Sequence, residues 1–192
     1  MRSLLRLPAF FTLMGVLFLA GCAQNTVSLV YTPSAENTIP ISGAPSVAVV
    51  TFTDKRTSPP VGKRDNGSAF MPSSSVTDWV THSLGTELSQ LGLVVTLADS
   101  EAQAQHSGAG YVVTGSVDEV WLTEKSSTEY DARMRATITV KQARKNLFAR
   151  SFSSTLSRRV VPVSSVPQEM LSETLRDLVS PMARAINEQV RR

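Results

Sequence analysis

The sequence predicts an α+β domain: a largely antiparallel sheet of four to five strands with two helices packed on one face, in the order β-α-β-β-β-β-α. Apolar residues recur every three or four positions over residues 76–91 and 166–190, which is the period of a helix with one buried stripe. Apolar and polar residues alternate strictly from Arg133 to Lys141, as in a half-buried strand. Stacking both helices on one sheet face is the simplest way to bury both stripes.

The first half of the domain begins with the β-branched, apolar run Val47–Phe52, which predicts a buried strand. The polar stretch Thr53–Ser75 that follows is rich in proline and glycine, and it predicts a long loop. Ser73–Ser75 is expected to cap a helix with an apolar stripe that reaches Leu91, and Gly92 is expected to end that helix.

The second half is dominated by strands and closes with a helix. Strands are predicted at Leu93–Leu97, at Tyr111–Trp121 with Gly115 at a bend or bulge, and at Leu147–Val161, in addition to the alternating strand described above. A helical turn is expected at Asp99–Gln105. The last helix begins near Val166, with Pro167 in its first turn, and the interior Pro181 is expected to kink or adjust it.

The N-terminus has the composition of a secretory signal. Arg2 and Arg6 precede the apolar run Leu7–Leu19, which is shorter than the ~20 residues needed to cross a bilayer. The run ends in Leu19-Ala20-Gly21-Cys22, which resembles the lipobox of bacterial lipoproteins, in which the cysteine thiol receives a diacylglyceryl group. Cys22 is the only cysteine, so a disulfide within the chain is excluded and lipidation accounts for the thiol.

These features divide the chain into three parts: a signal peptide over residues 1–21, a lipidated N-terminus and extended tether over residues 22–45, and one α+β domain over residues 46–192. Without Arg2 and Arg6, 17 basic residues stand against 16 acidic ones, a net charge of +1. The one dense basic cluster comprises Lys141, Arg144, Lys145 and Arg150, with Arg158 and Arg159 further on. A solvated turn and strand edge explain this cluster, so nucleic acid is not expected as a partner.

No catalytic, metal or cofactor site is predicted. The two histidines, His82 and His106, lie in no spacing that would organise zinc, and neither a nucleophile elbow nor a phosphate-binding glycine loop is present. Asp54 and Arg56, where the first strand leaves the sheet, form a candidate partner contact. A charged strand exit with Asp54 bonded to nearby backbone amides is the alternative for this pair. Trp79 and Trp121 are expected in the core or at its edge.

The lipobox, the strand Val47–Phe52 leading into Asp54-Lys55-Arg56, and the helix leading into residues 91–95 together resemble the YajG-type family of bacterial lipoproteins. Similar layouts occur in LptE-type lipoproteins and in auxiliary lipoproteins of lipid-transport ABC systems. CsgG-type lipoproteins begin in a comparable way, but this chain lacks their paired amphipathic pore strands. The resemblance implies a lipid-anchored envelope protein, and fold-level analogy alone does not name a function.

Two functions follow as hypotheses. The first is a non-catalytic envelope lipoprotein, anchored through Cys22, whose domain binds another envelope protein and leaves a sheet face uncovered for that purpose. The second is a lipoprotein that carries a lipid or glycan in an apolar cavity between sheet and helices. Ala23 and Gln24 follow the cysteine, with no aspartate, which by resemblance to Gram-negative sorting favours the outer membrane, facing the periplasm.

Overall fold

The computed structural model describes residues 26–33, 43–143 and 145–192, so the predicted signal peptide and lipobox lie outside the described residues. Nine strands and three helices are found in these ranges. The strands are β1 Thr26–Val27, β2 Ser46–Val50, β3 Thr53–Asp54, β4 Gly62–Lys63, β5 Ala69–Pro72, β6 Val94–Ala98, β7 Tyr111–Ser126, β8 Glu129–Gln142 and β9 Lys145–Arg159. The helices are α1 Val76–Gln90, α2 Glu101–His106 and α3 Val166–Val190.

The sheet is mixed rather than largely antiparallel. Its order is β1-β5-β4-β7-β2-β6, with β3 also on β7 and with β8 between β7 and β9. Five of the eight described strand pairs are parallel, so the prediction of four to five mainly antiparallel strands is wrong. Between β2 and β6 the chain passes through β3, β4, β5 and helix α1, and this crossover returns it in the same direction. The three described antiparallel pairs are the short β4–β5 pair and the two long pairs of the meander β7-β8-β9.

The seven principal elements, β2, α1, β6, β7, β8, β9 and α3, do follow the predicted order β-α-β-β-β-β-α. Helix α1 begins as the sequence indicates, because the hydroxyl of its cap residue Ser75 accepts a bond from the Asp78 N–H at 3.2 Å. Gly92, just past its end, has a positive φ of 79°, which only glycine adopts readily. Helix α3 runs unbroken through Pro181.

The stretch Thr53–Ser75 is not a structureless loop. It contributes β3, β4 and β5 to the sheet, and its apolar residues Val61 and Phe70 are fully buried. A Cβ atom at Gly62 would lie 2.2 Å from the carbonyl oxygen of Leu122, so β4 approaches β7 as closely as it does only because this residue is glycine.

The two long helices share one face of the sheet, as predicted, and the short α2 lies on the other. Val47 and Val49 of β2 join the main core with both long helices, whereas Ala48 and Val50 pack against Ala104 of α2. The stripe of α3 is buried as expected, at Met170, Leu171, Leu175, Leu178, Val179, Met182, Ala183, Ile186 and Val190. Strand β8 buries its alternate residues Met134, Ala136, Ile138 and Val140.

Gly115 has a different role from the expected bend. The register shift in β7 lies further on, between Val117 and Glu119. Gly115 itself leaves room for the ring of Phe52, which would lie 2.6 Å from a Cβ atom at that position. The close packing of Phe52 against β7 therefore depends on glycine at residue 115.

The predicted tether is docked on the domain over residues 26–33. Strand β1 pairs in parallel with β5, and the Ser73 N–H donates to the Val27 carbonyl at 3.0 Å. The Tyr31 hydroxyl donates to Oε1 of the buried Glu87 at 2.5 Å, and the Ser180 hydroxyl donates to Oε2 at 2.9 Å. This carboxylate thus connects the N-terminal segment with both long helices.

Candidate functional site

Among the elements that the structure describes, no helix covers most of the second face of the β7-β8-β9 meander. Helix α3 packs on the core-facing side of β8 and β9, and of the described helices only α2 reaches the second side, at one end. There the Lys141 ammonium bonds both oxygens of Glu101 at 2.8 Å. We call the remainder the outer face. It consists of Glu119, Trp121, Thr123, Asp131, Arg133, Arg135, Thr137, Thr139, Ser151, Ser153, Thr155 and Ser157.

Trp121 stands near the middle of the outer face and is half-buried, not a core residue. Strand pairing places it directly opposite Arg133, which is exposed. The neighbouring Arg135 donates to Glu119 Oε2 at 3.2 Å. Tryptophan and arginine are the side chains that contribute most to protein–protein binding, so this pairing marks the outer face as a candidate partner surface.

Charge and hydroxyl groups surround the tryptophan. Lys125 Nζ lies 2.5 Å from Asp131 Oδ2. The hydrogen bond from this ammonium is the main cause that lowers the pKa of the Asp131 carboxyl. The β9 part of the face carries only hydroxyl side chains from residue 151 to residue 157. In protein interfaces such polar residues are typical of the solvated rim, so the side chains that favour binding on this face are Trp121, Arg133 and Arg135.

Asp54 and Arg56 are brought together, but they are bonded to each other. The Arg56 backbone N–H and Nε both donate to Asp54 Oδ1 at 3.0 Å, and Nη2 donates to Oδ2 at 2.8 Å. The side-chain hydrogen bond from Arg56 is the largest cause of a pKa of the Asp54 carboxyl below its ordinary 3.8. The Arg56 side chain is only 9% exposed. The pair closes the turn after β3, and its contact with a partner stays a prediction.

An open groove of about 440 Å³ lies beside this pair, between the turn and the start of α1. Its walls carry Thr57, Ser58, Pro59, Pro72, Ser74, Ser75 and Thr77. The charged residues in its lining are Asp54 and Arg56, and their ion pair leaves the groove with no net charge for a ligand.

The histidines are far from any arrangement that binds metal. His82 and His106 are both exposed, and their Nδ1 atoms lie 2.7 and 2.6 Å from the carbonyl oxygens of Asp78 and Ala102 in their own helices. Within the described ranges, no group of three or more His, Cys, Asp or Glu side chains could hold a metal ion. No helix in the same ranges is long and apolar enough to cross a bilayer.

A buried polar cluster at the far end of β7 was not anticipated from the sequence. The Tyr130 hydroxyl donates to Glu124 Oε1 at 2.9 Å, and the Arg64 guanidinium lies 4.8 Å from the centre of the Phe70 ring. Burial, followed by the bond to Glu124, raises the pKa of Tyr130 to about 12. The cluster joins β5, β7 and β8 with Arg64, the residue that follows β4.

The space between sheet and long helices is filled by side chains. Ile138, Leu175 and Met182 meet there with no exposed surface, in one continuous core. The cavity predicted for a lipid or glycan carrier is therefore absent from the core that the described residues form.

No protein-family model matches the chain, and no curated protein sequence matches it. Solved structures with a TM-score above 0.5 share its fold. Protein XCC0632 from Xanthomonas campestris, of the family DUF330, has a TM-score of 0.61 at 11% identity over 85% of this chain and 95% of that one. An uncharacterised protein has a TM-score of 0.52 at 12% identity, over 84% and 99%. Lipoprotein GNA1162 from Neisseria meningitidis has a TM-score of 0.41 at 17% identity, over 75% and 99%.

Proposed function

We propose that this chain is a non-catalytic lipoprotein of the bacterial envelope, of the YajG type, whose domain binds another envelope protein through the outer face. The observation that carries the proposal is the uncovered β7-β8-β9 meander, with Trp121 and Arg133 at its middle. A sheet whose one side buries a complete core does not need its other side for stability. Antiparallel sheets commonly leave such a second side solvated, and the feature that favours recognition on this one is the pairing of Trp121 with the exposed Arg133.

The anchor is supported by the sequence Leu19-Ala20-Gly21-Cys22. Acyl chains on Cys22 supply membrane affinity at ~0.8 kcal/mol for each buried methylene, and more than one chain makes the attachment stable. Ala23 and Gln24 favour the outer membrane, with the domain in the periplasm.

The docked N-terminal segment gives the anchor a short reach. Between Cys22 and Thr26, the first residue of β1, a fully extended chain spans at most about 14 Å. A lipid on Cys22 would therefore hold the β1–β5 edge near the membrane surface. The partner that this geometry fits is a membrane-associated or membrane-near protein.

Photo-crosslinking in intact cells tests the partner surface. A photoreactive phenylalanine at Arg133 or Arg135 is expected to give a discrete crosslinked species, because both side chains are exposed on the outer face. The same group at Arg184, exposed on α3, is the matched control. Trp121→Ala should lower the yield at Arg133 at least tenfold. Equal crosslinking from Arg184, or none from the outer face, would contradict the proposal.

A further inference from the structure

Strand β9 presents a long edge. It runs for 15 residues, Lys145–Arg159, where typical strands have about five or six, and among the described strands it pairs only with β8. Its register with β8 is unbroken from Phe148 to Arg159, and it contains no proline. Proteins usually shorten, bend or interrupt such an edge to prevent pairing with other chains, and β9 has none of these features in that range.

The hydrogen-bond pattern shows which main-chain groups are available. The Val160 N–H donates to the Thr128 carbonyl at 2.9 Å, so this opposite pair is of the hydrogen-bonded type. Hydrogen-bonded pairs recur at every second residue of an antiparallel ladder. The even-numbered residues of β9 therefore bond to β8, and the odd-numbered ones direct their N–H and C=O groups away from the sheet. Ser153 lies at the centre of this open row.

The charge on β9 decides what kind of chain can pair with it. The strand has four cations, Lys145, Arg150, Arg158 and Arg159, and no acidic residue. Arg158 Nη2 donates to Glu173 Oε1 at 2.8 Å, whereas Arg159 Nη2 lies 3.8 Å from Glu129 Oε2 and its side chain stays 86% exposed. Residues 151–157 between them are uncharged. A second copy of β9 could only bring further cations to the same edge, and like charges across a strand pair are destabilising. The edge thus disfavours pairing with itself.

We propose that β9 accepts an extended segment of the partner protein as an added strand, with acidic residues at the ends of that segment and an uncharged centre. The inference rests on the proposed function and specifies the chemistry of the partner. Main-chain bonds at the odd-numbered residues supply affinity, and the cations at Arg150 and Arg159 select the acidic ends. The hydroxyl side chains from residue 151 to residue 157 are small enough to leave the incoming side chains unobstructed.

A peptide titration of the purified full chain in detergent tests this assignment. The probe is a ten-residue fluorescent peptide with glutamate at both ends and alternating threonine and valine between them, and the control has lysine at both ends. The glutamate peptide should bind at least tenfold more tightly, and the difference should shrink as salt is added. Ser153→Pro removes an outward N–H that has no bond within the sheet, so it should weaken binding at least tenfold, whereas Ser153→Ala should not.

Charge reversal provides a test that does not depend on proline. Arg150→Glu combined with Arg159→Glu should invert the preference, so that the lysine peptide binds more tightly. Equal affinity for both peptides, or binding unaffected by Ser153→Pro, would overturn the inference. Self-association that Ser153→Pro abolishes would also overturn it, because the occupant would then be a second copy. Failed peptide binding with intact crosslinking from Arg133 would reject this inference and leave the proposed function standing.

Discussion

Replacing Tyr31 by phenylalanine tests whether the N-terminal segment is held to the domain by the buried carboxylate of Glu87. The substitution removes one hydroxyl and keeps the ring. That hydroxyl lies 2.5 Å from Glu87 Oε1, a length typical of a hydrogen bond to a charged acceptor. Glu87 is 6% exposed, so water replaces the lost donor poorly. Hydrogen bonds to charged groups contribute about 1.5–3 kcal/mol. Because Ser180 still donates to the other oxygen, we expect a loss of about 2 kcal/mol in the free energy of unfolding.

Urea denaturation and amide exchange measure this effect. The matched control is Tyr111→Phe, because Tyr111 is half-buried and its hydroxyl forms no hydrogen bond within the described ranges. The Ser73 amide, which donates to Val27, should exchange about thirty-fold faster in the Tyr31 variant, since 1.4 kcal/mol corresponds to tenfold. A loss below about 0.5 kcal/mol, or a loss equal to that of the Tyr111 variant, would refute the reasoning.

Two further predictions concern the sheet. Gly62→Ala should lower the free energy of unfolding by about 3 kcal/mol, because its Cβ would lie 2.2 Å from the Leu122 carbonyl oxygen. Gly110→Ala, whose Cβ would have its nearest contacts at 3.7 Å, should lower it much less. Equal losses in urea denaturation would contradict the close approach of β4 and β7. Tyr130 should titrate near pH 12 in an ultraviolet absorbance titration. The difference between the wild-type and Tyr130→Phe curves isolates this one phenol. Because its folded pKa exceeds its ordinary 10.0, its contribution to stability should be complete below pH 10 and disappear as the pH rises towards 12; titration near pH 10 in the folded protein would contradict its burial.

The elements that the sequence predicts well are those whose signal is local. Helix α1 has its cap at Ser75, its apolar stripe and Gly92 within one segment, and strand β8 alternates without exception from Arg133 to Lys141. Each of these patterns is complete within about 20 residues. The periodicity alone therefore predicts both the element and the side that is buried.

The parts that were missed depend on contacts distant in the chain. The strands β3, β4 and β5 are two to four residues long and form because β7, about 60 residues later, offers an edge for β3 and β4. Val61 and Phe70 are the residues in the polar stretch that indicate buried structure, because large apolar side chains are unusual in a solvated loop. Strand direction depends on the crossover that contains helix α1 and makes β2 and β6 parallel, and the alternation within a single strand does not show that direction.

The sequence predicts that an uncovered sheet face favours a protein partner, but the position of such a face depends on the order of the strands in the sheet, which no local pattern encodes. Trp121 was expected in or near the core, because a tryptophan in an apolar strand usually packs inward. The register shift after Val117 places Trp121 with Glu119 and Arg133 on the outer face.

Metabolic acyl labelling in the native host, followed by membrane fractionation and intact-mass analysis, tests the central claim most directly. The wild-type chain should begin at Cys22, carry the mass of its acyl chains and sediment with the membranes. Cys22→Ser should remain unlabelled. Wild-type protein without label in the soluble fraction, indistinguishable from Cys22→Ser, would contradict the lipoprotein assignment.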